Sequence, residues 1–176
     1  SFSVLNNELR LYAALTISNL STNMDWIEEI SEQGGLEPVL YLARKDTDLF
    51  RREALIAIAA LSFLDRNRSD ICSHGGLLPI LQMLSDEDNY LVQYACCAVA
   101  NLSERDDTMM IVIQTGCFDL LIKTFCNRDY QVVHEAIRAI GNISTNLDYS
   151  SEIAQPYELT RRLVLYLSGS EIRSKR

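Results

Sequence analysis

Apolar positions along this chain fall at steps of three and four. Ala54, Leu55, Ile58 and Leu61 make one such set, the spacing of a single helical face, and no stretch alternates long enough to suggest a strand. Glycine and proline punctuate the helical stretches. Gly34-Gly35 and Gly75-Gly76 read as helix stops and turns. Pro38 and Pro79 follow soon after, where the first turn of a new helix tolerates a missing N–H. The pattern predicts a short helix over about Asp25–Gln33, a second over about Leu36–Ala43 and a longer third over about Leu49–Phe63.

The same trio then returns. Asn19, Ala60, Asn101 and Asn142 stand 41 residues apart, and so do Ala13, Ala54, Ala95 and Ala136. Ile17, Ile58, Val99 and Ile140 keep the step, as do Leu20, Leu61, Leu102 and Ile143. Gly34, Gly75 and Gly116 share it too, although the next step lands on Tyr157. One such unit cannot bury its own apolar face, so the units must stack.

The period, the helix order and runs such as "ALTISNLS", "AVANLS" and "GGLLPIL" resemble the armadillo repeat. The resemblance covers nearly the whole chain. It implies an all-α, right-handed armadillo-type α-solenoid, a superhelix of about four repeats with a 41-residue period. On this reading residues 6–21 are the third helix of a partial repeat. Residues 23–63, 64–104 and 105–145 are full repeats, 146–168 is a second partial repeat, and 169–176 is a polar tail. The ends fall inside repeats and there is no initiator Met, so a fragment of a longer protein is expected.

Each third helix then has two jobs. Ala13, Ile17, Leu20 and their equivalents form the expected buried stripe. Positions four and seven or eight residues before the recurrent Asn lie off that stripe. They are Leu11, Tyr12 and Leu15, then Arg52, Glu53 and Ile56, then Gln93, Tyr94 and Cys97, then His134, Glu135 and Arg138. In armadillo proteins the third helices line a concave groove, and the recurrent Asn binds the main chain of an extended partner. A carboxamide suits that task because it pairs a donor with an acceptor, as a peptide unit does. The candidate groove residues are therefore Asn19, Asn101, Asn142, Tyr12, Tyr94, Gln93, Arg52, Arg138 and His134. The tyrosines would serve as anchors and the two arginines as forks for partner carboxylates. The competing reading of the Asn ladder is local, each side chain tying its own helix end to the following turn.

Two departures narrow the function. Ala60 interrupts the Asn ladder. Importin-α-like repeats carry Trp four residues before the Asn, where this chain has Leu15, Ile56, Cys97 and Arg138, so import-signal binding is disfavoured. The expected function is a non-catalytic scaffold or adaptor that binds an extended or helical protein segment, in the style of catenin-like, vacuolar-armadillo-like or armadillo-repeats-only proteins. The alternatives are a regulatory armadillo segment of a larger enzyme or ubiquitin-ligase subunit and, behind it, a nuclear-transport receptor.

Composition removes other classes. The chain has 176 residues, 48% hydrophobic and 23% charged, which describes a folded protein. A net charge of −8 argues against a phosphate-backbone binder. Five cysteines are poor material for a disulfide framework and suit a reducing cytoplasm or nucleus. Any lipid anchor would lie upstream of Ser1. Four Asn-x-Ser sequons, three of them by-products of the repeat, are not read as glycosylation sites. The acidic stretches at 85–89 and 103–107 lack the glycine and terminal glutamate of a calcium loop. Cys72 and His74 have no second ligand pair, so no metal or cofactor is expected. No nucleophile, base and orienting group are set together, so no catalysis and no small-molecule substrate are expected. Trp26 is read as packing between repeats.

Overall fold

The computed structural model describes residues 2–21, 23–44, 48–146 and 157–168. The stretch 147–156, where the first helix of the last partial repeat is expected, and the tail 169–176 lie outside them. The described residues form helices and turns and no strand. In chain order they are α1 (Phe2–Leu20), α2 (Met24–Glu32), α3 (Leu36–Ala43), α4 (Asp48–Leu61), α5 (Asp65–Ser73) and α6 (Leu77–Met83). Then follow α7 (Asn89–Leu102), α8 (Asp106–Gln114), α9 (Phe118–Phe125), α10 (Tyr130–Ile143) and α11 (Tyr157–Leu167).

Local chemistry sets the boundaries. Asn23, Asp88 and Asp129 cap α2, α7 and α10, each side chain accepting from the backbone N–H two residues on. Gly34, Gly75 and Gly116 end the first helix of each trio in the left-handed region, at φ of 74°, 75° and 69°. The second glycine of the pair does a different job. A Cβ at Gly76 would stand 2.5 Å from Leu40 Cδ2 and 2.9 Å from the Ile71 carbonyl, so α5 and α6 meet there at close range.

Packing joins the trios. α3 lies on α4, α6 on α7 and α9 on α10. The long helices α1, α4, α7 and α10 pack side by side in chain order, and α5 packs on α8. One continuous apolar core runs through the stack, from Ala14 to Leu159. Its spine is the stripe read from the sequence, with one correction. Ala54, Ala95 and Ala136 are fully buried, whereas Ala13 is exposed. In the inner trios a second helix packs on the long one, as α3 does on α4, α6 on α7 and α9 on α10, whereas the second helix that would pair with α1 in its own trio is not among the described helices. No single described helix is long and apolar enough to cross a membrane.

Candidate functional site

The stacked long helices carry most of the candidate residues, and the structure sorts them by environment. Asn101 is fully buried. Its Nδ2 donates to Ser62 Oγ at 2.8 Å and, at 3.4 Å, to the Ala59 carbonyl of the preceding long helix. Asn142 repeats the contact one step on, donating to the Ala100 carbonyl at 2.9 Å. Both carbonyls lie in the last turn of a helix, where Ala59 also accepts from Ser62 Oγ and Ala100 from the Ser103 N–H, so each amide shares its acceptor. The amide therefore ties each long helix to the one before it, not to its own following turn. Ala60 stands at the equivalent position of α4 and brings no side-chain amide toward α1. Asn101 Oδ1 is left buried with no hydrogen-bond partner. Asn19 is exposed.

The two arginines are already engaged. Arg52 Nη1 pairs with Asp88 Oδ2 at 2.7 Å and its guanidinium lies 5.7 Å from the centre of the Tyr90 ring. Arg138 Nε bonds Glu135 Oε2 at 2.9 Å, Nη1 reaches Glu104 Oε1 at 3.4 Å and Nη2 reaches the Cys97 carbonyl at 3.3 Å. Neither is the unoccupied fork that the sequence suggests, because carboxylates of the chain itself already fill the role.

What remains open is aromatic and polar. Tyr12 on α1 is 64% exposed and Tyr130 on α10 is 71% exposed. Tyr90 and Tyr94 pack edge to face with centroids 4.8 Å apart, and their hydroxyls lie 3.2 Å from each other. Burial first, and then the Tyr90 hydroxyl, push the Tyr94 phenol up to about 12. Tyr130 stands between two shallow cavities. One, of about 350 Å³, is lined by Tyr130, Val133, His134, Ile137, Arg138 and Tyr166. The other, of about 290 Å³, is lined by Gln93, Tyr130, Gln131, His134 and Glu135. The structure thus brings Gln93 and His134 to one cavity while placing Tyr12 three long helices away, on α1.

Sequence reasoning missed Tyr90 and Tyr130. Tyr90 was within reach, four residues before Tyr94 and two after its capping Asp88. Tyr130 directly follows its own cap, Asp129. Trp26 is corrected as well. It is 48% exposed, whereas Asn67 and Thr108 at its register positions are buried and donate to the Leu61 and Leu102 carbonyls. An indole cannot copy a contact made by so short a side chain.

Cys72, Cys96 and Cys97 are held as thiols by burial, and Cys126 is exposed. Burial pushes Cys96 up to about 12 and Cys97 and Cys72 up to about 11. No cluster of three or more metal-ligating side chains occurs among the described residues.

Helix trios stacked through their long third helices define the protein as an α-solenoid. The sequence model of the Armadillo/beta-catenin-like repeat matches residues 65–104, which span α5 to α7. No curated protein matches the chain. Among solved structures, computationally designed armadillo repeat proteins for modular peptide recognition superpose with a TM-score of 0.76 at 23% identity, over 88% of this chain and 66% of that one. A designed armadillo repeat protein in complex with the peptide (KR)4 gives 0.74 at 24%, over 87% and 66%. An engineered protein gives 0.70 at 24%, over 81% and 59%. The chain spans less than two thirds of the length of each of these structures. The chain shares the armadillo-type solenoid fold of these structures, and its residues 65–104 are similar to the armadillo repeat.

Proposed function

We propose that the chain is a non-catalytic scaffold that binds a protein segment along the face of α1, α4, α7 and α10. The observation that carries this reading is the row of exposed aromatic and polar side chains on helices otherwise buried in the stack. Tyr12, Tyr90, Tyr130 and His134 are exposed in that row, with Gln93 and Tyr94 half-buried beside them. Aromatic anchors of this kind dominate binding energies, since they bury large rigid surface at low entropic cost. The structural neighbour in complex with (KR)4 supports a peptide as the class of ligand. Within this proposal the repeats divide at 23–63, 64–104 and 105–145. Asn19 and Asn142 line the face. Asn101, fully buried, braces α7 against the end of α4 beneath that face, and Arg52 and Arg138 shape the surface without capturing partner carboxylates. The five free cysteines support a reducing compartment such as the cytoplasm.

The test is site-specific photocrosslinking of the chain in its own cell. A photoreactive residue replaces Tyr130 in one variant and the exposed Ile111 of α8 in another. Crosslinks to one recurrent partner segment are expected from position 130 and not from 111. Partner crosslinks from 111 alone would overturn the proposal.

A further inference from the structure

Three charged residues break the apolar register of this chain, and they meet. Arg68 stands one period after Ile27 and one before Met109, both buried. Glu104 stands one period after Phe63, and Arg138 one period after Cys97. In the neighbouring repeats none of these positions is charged. Arg68 alone would be a costly misfit, because its side chain is only 6% exposed.

The connections run across repeats. Arg68 Nη2 pairs with Glu104 Oε2 at 2.6 Å, and Arg138 Nη1 lies 3.4 Å from Glu104 Oε1. Arg68 also donates from Nε to the Ser62 carbonyl at 2.9 Å and from Nη2 to the Phe63 carbonyl at 3.3 Å, while Nη1 pairs with Asp65 at 2.8 Å. Ser62 and Phe63 directly follow α4, and Glu104 follows α7 by one residue after the cap Ser103. Arg138 then grips α7 again at the Cys97 carbonyl and is steadied on α10 by Glu135. The path therefore joins the end of α4, through α5, to the end of α7 and on to α10.

We infer that Arg68, Glu104 and Arg138 form a clamp, anchored on the end of α4 through the Ser62 and Phe63 carbonyls, that fixes α10 against α7 and holds Arg138 over Cys97. Arg68 is a positioning residue in this device. It does not touch Arg138, yet it holds the carboxylate that does. The consequence for partners rests on the proposed binding face. With Arg138 pinned, the surface between Cys97 and His134 presents a neutralised guanidinium, so it favours an uncharged partner side chain there.

The clamp is tested without any partner, so its failure is separate from failure of the binding reading. The readout is exchange with water of the Arg138 Nη1–H, the proton directed at Glu104, followed by NMR on the full chain. Arg68→Met places the register residue in the slot without touching Arg138. It is expected to speed that exchange about tenfold, the size of effect typical for loss of one network contact. Glu104→Gln is expected to do the same. The triple variant Arg68→Met, Glu104→Thr, Arg138→Cys restores register chemistry throughout and is expected to unfold at a higher temperature than either single variant. If Arg68→Met does not fold, Arg68→Lys takes its place, keeping the charge and losing the fork. Unchanged Arg138 exchange in the Arg68 and Glu104 variants, or a triple variant less stable than both singles, would overturn the inference.

Discussion

Cys96 and Cys97 are neighbours on α7, yet burial governs both more than their proximity does. Desolvation raises each thiol well above its ordinary value of 9.0, and Glu135 adds to it as a nearby negative charge. Cys72 moves the same way, by burial and by Asp107. A thiol that holds its proton more tightly when folded leaves stability untouched while both states are protonated. Above about pH 9 the unfolded chain ionises first, and the folded state loses ground until the folded values near 11 to 12 are passed. Tyr94 adds to the trend from about 10 upward, toward about 12. Urea unfolding midpoints should therefore be level from neutral pH to about 9 and fall beyond it. Cys96→Ala together with Cys97→Ala should flatten the fall. An unaltered slope in that variant would show that other groups control the alkaline limb. At neutral pH the exposed Cys126 should react with a thiol reagent ahead of the four others.

At the scale of elements, the period-based reading performs best where periodicity and punctuation agree. It places a helix over Leu36–Ala43, and α3 has those bounds; the flanking helices are displaced by one or two residues at their ends. Capping is local chemistry, so it can be read from local sequence. The function of the recurrent Asn could not be read in that way. Its partner carbonyl lies 42 residues earlier in the chain, and only the stack brings the two together. The same limit hid Arg68 and Glu104, which stand 36 residues apart in the chain and meet only in the fold. Ala60 offers a direct check on the tie. Ala60→Asn should supply the amide missing between α4 and α1 and raise stability by about 0.5–1.5 kcal/mol, the usual net value of one hydrogen bond. Asn142→Ala should lower it by about the same amount. A destabilised Ala60→Asn protein would mean that α1 and α4 approach each other differently from the later pairs.

A solenoid spreads its stability over nearest-neighbour interfaces, so the cost of a substitution depends on which repeat carries it. The alanines at 13, 54, 95 and 136 are one position by sequence and two environments by structure. Ala95 is fully buried on α7. A carboxylate there would be stranded without a partner, so Ala95→Glu should lower the unfolding midpoint by roughly 10 °C or more, or prevent folding. Ala13 opens onto a cavity of about 420 Å³ lined by Arg10, Ile17, Pro38, Tyr41 and Leu42 among others. There Ala13→Glu can reach water and Arg10, and its midpoint should stay within about 2 °C of the parent protein, as for an ordinary surface change. Calorimetry on the two variants side by side decides the matter. Equal losses would mean that the exposed face of α1 is covered in solution, and that the stack continues beyond the helices described.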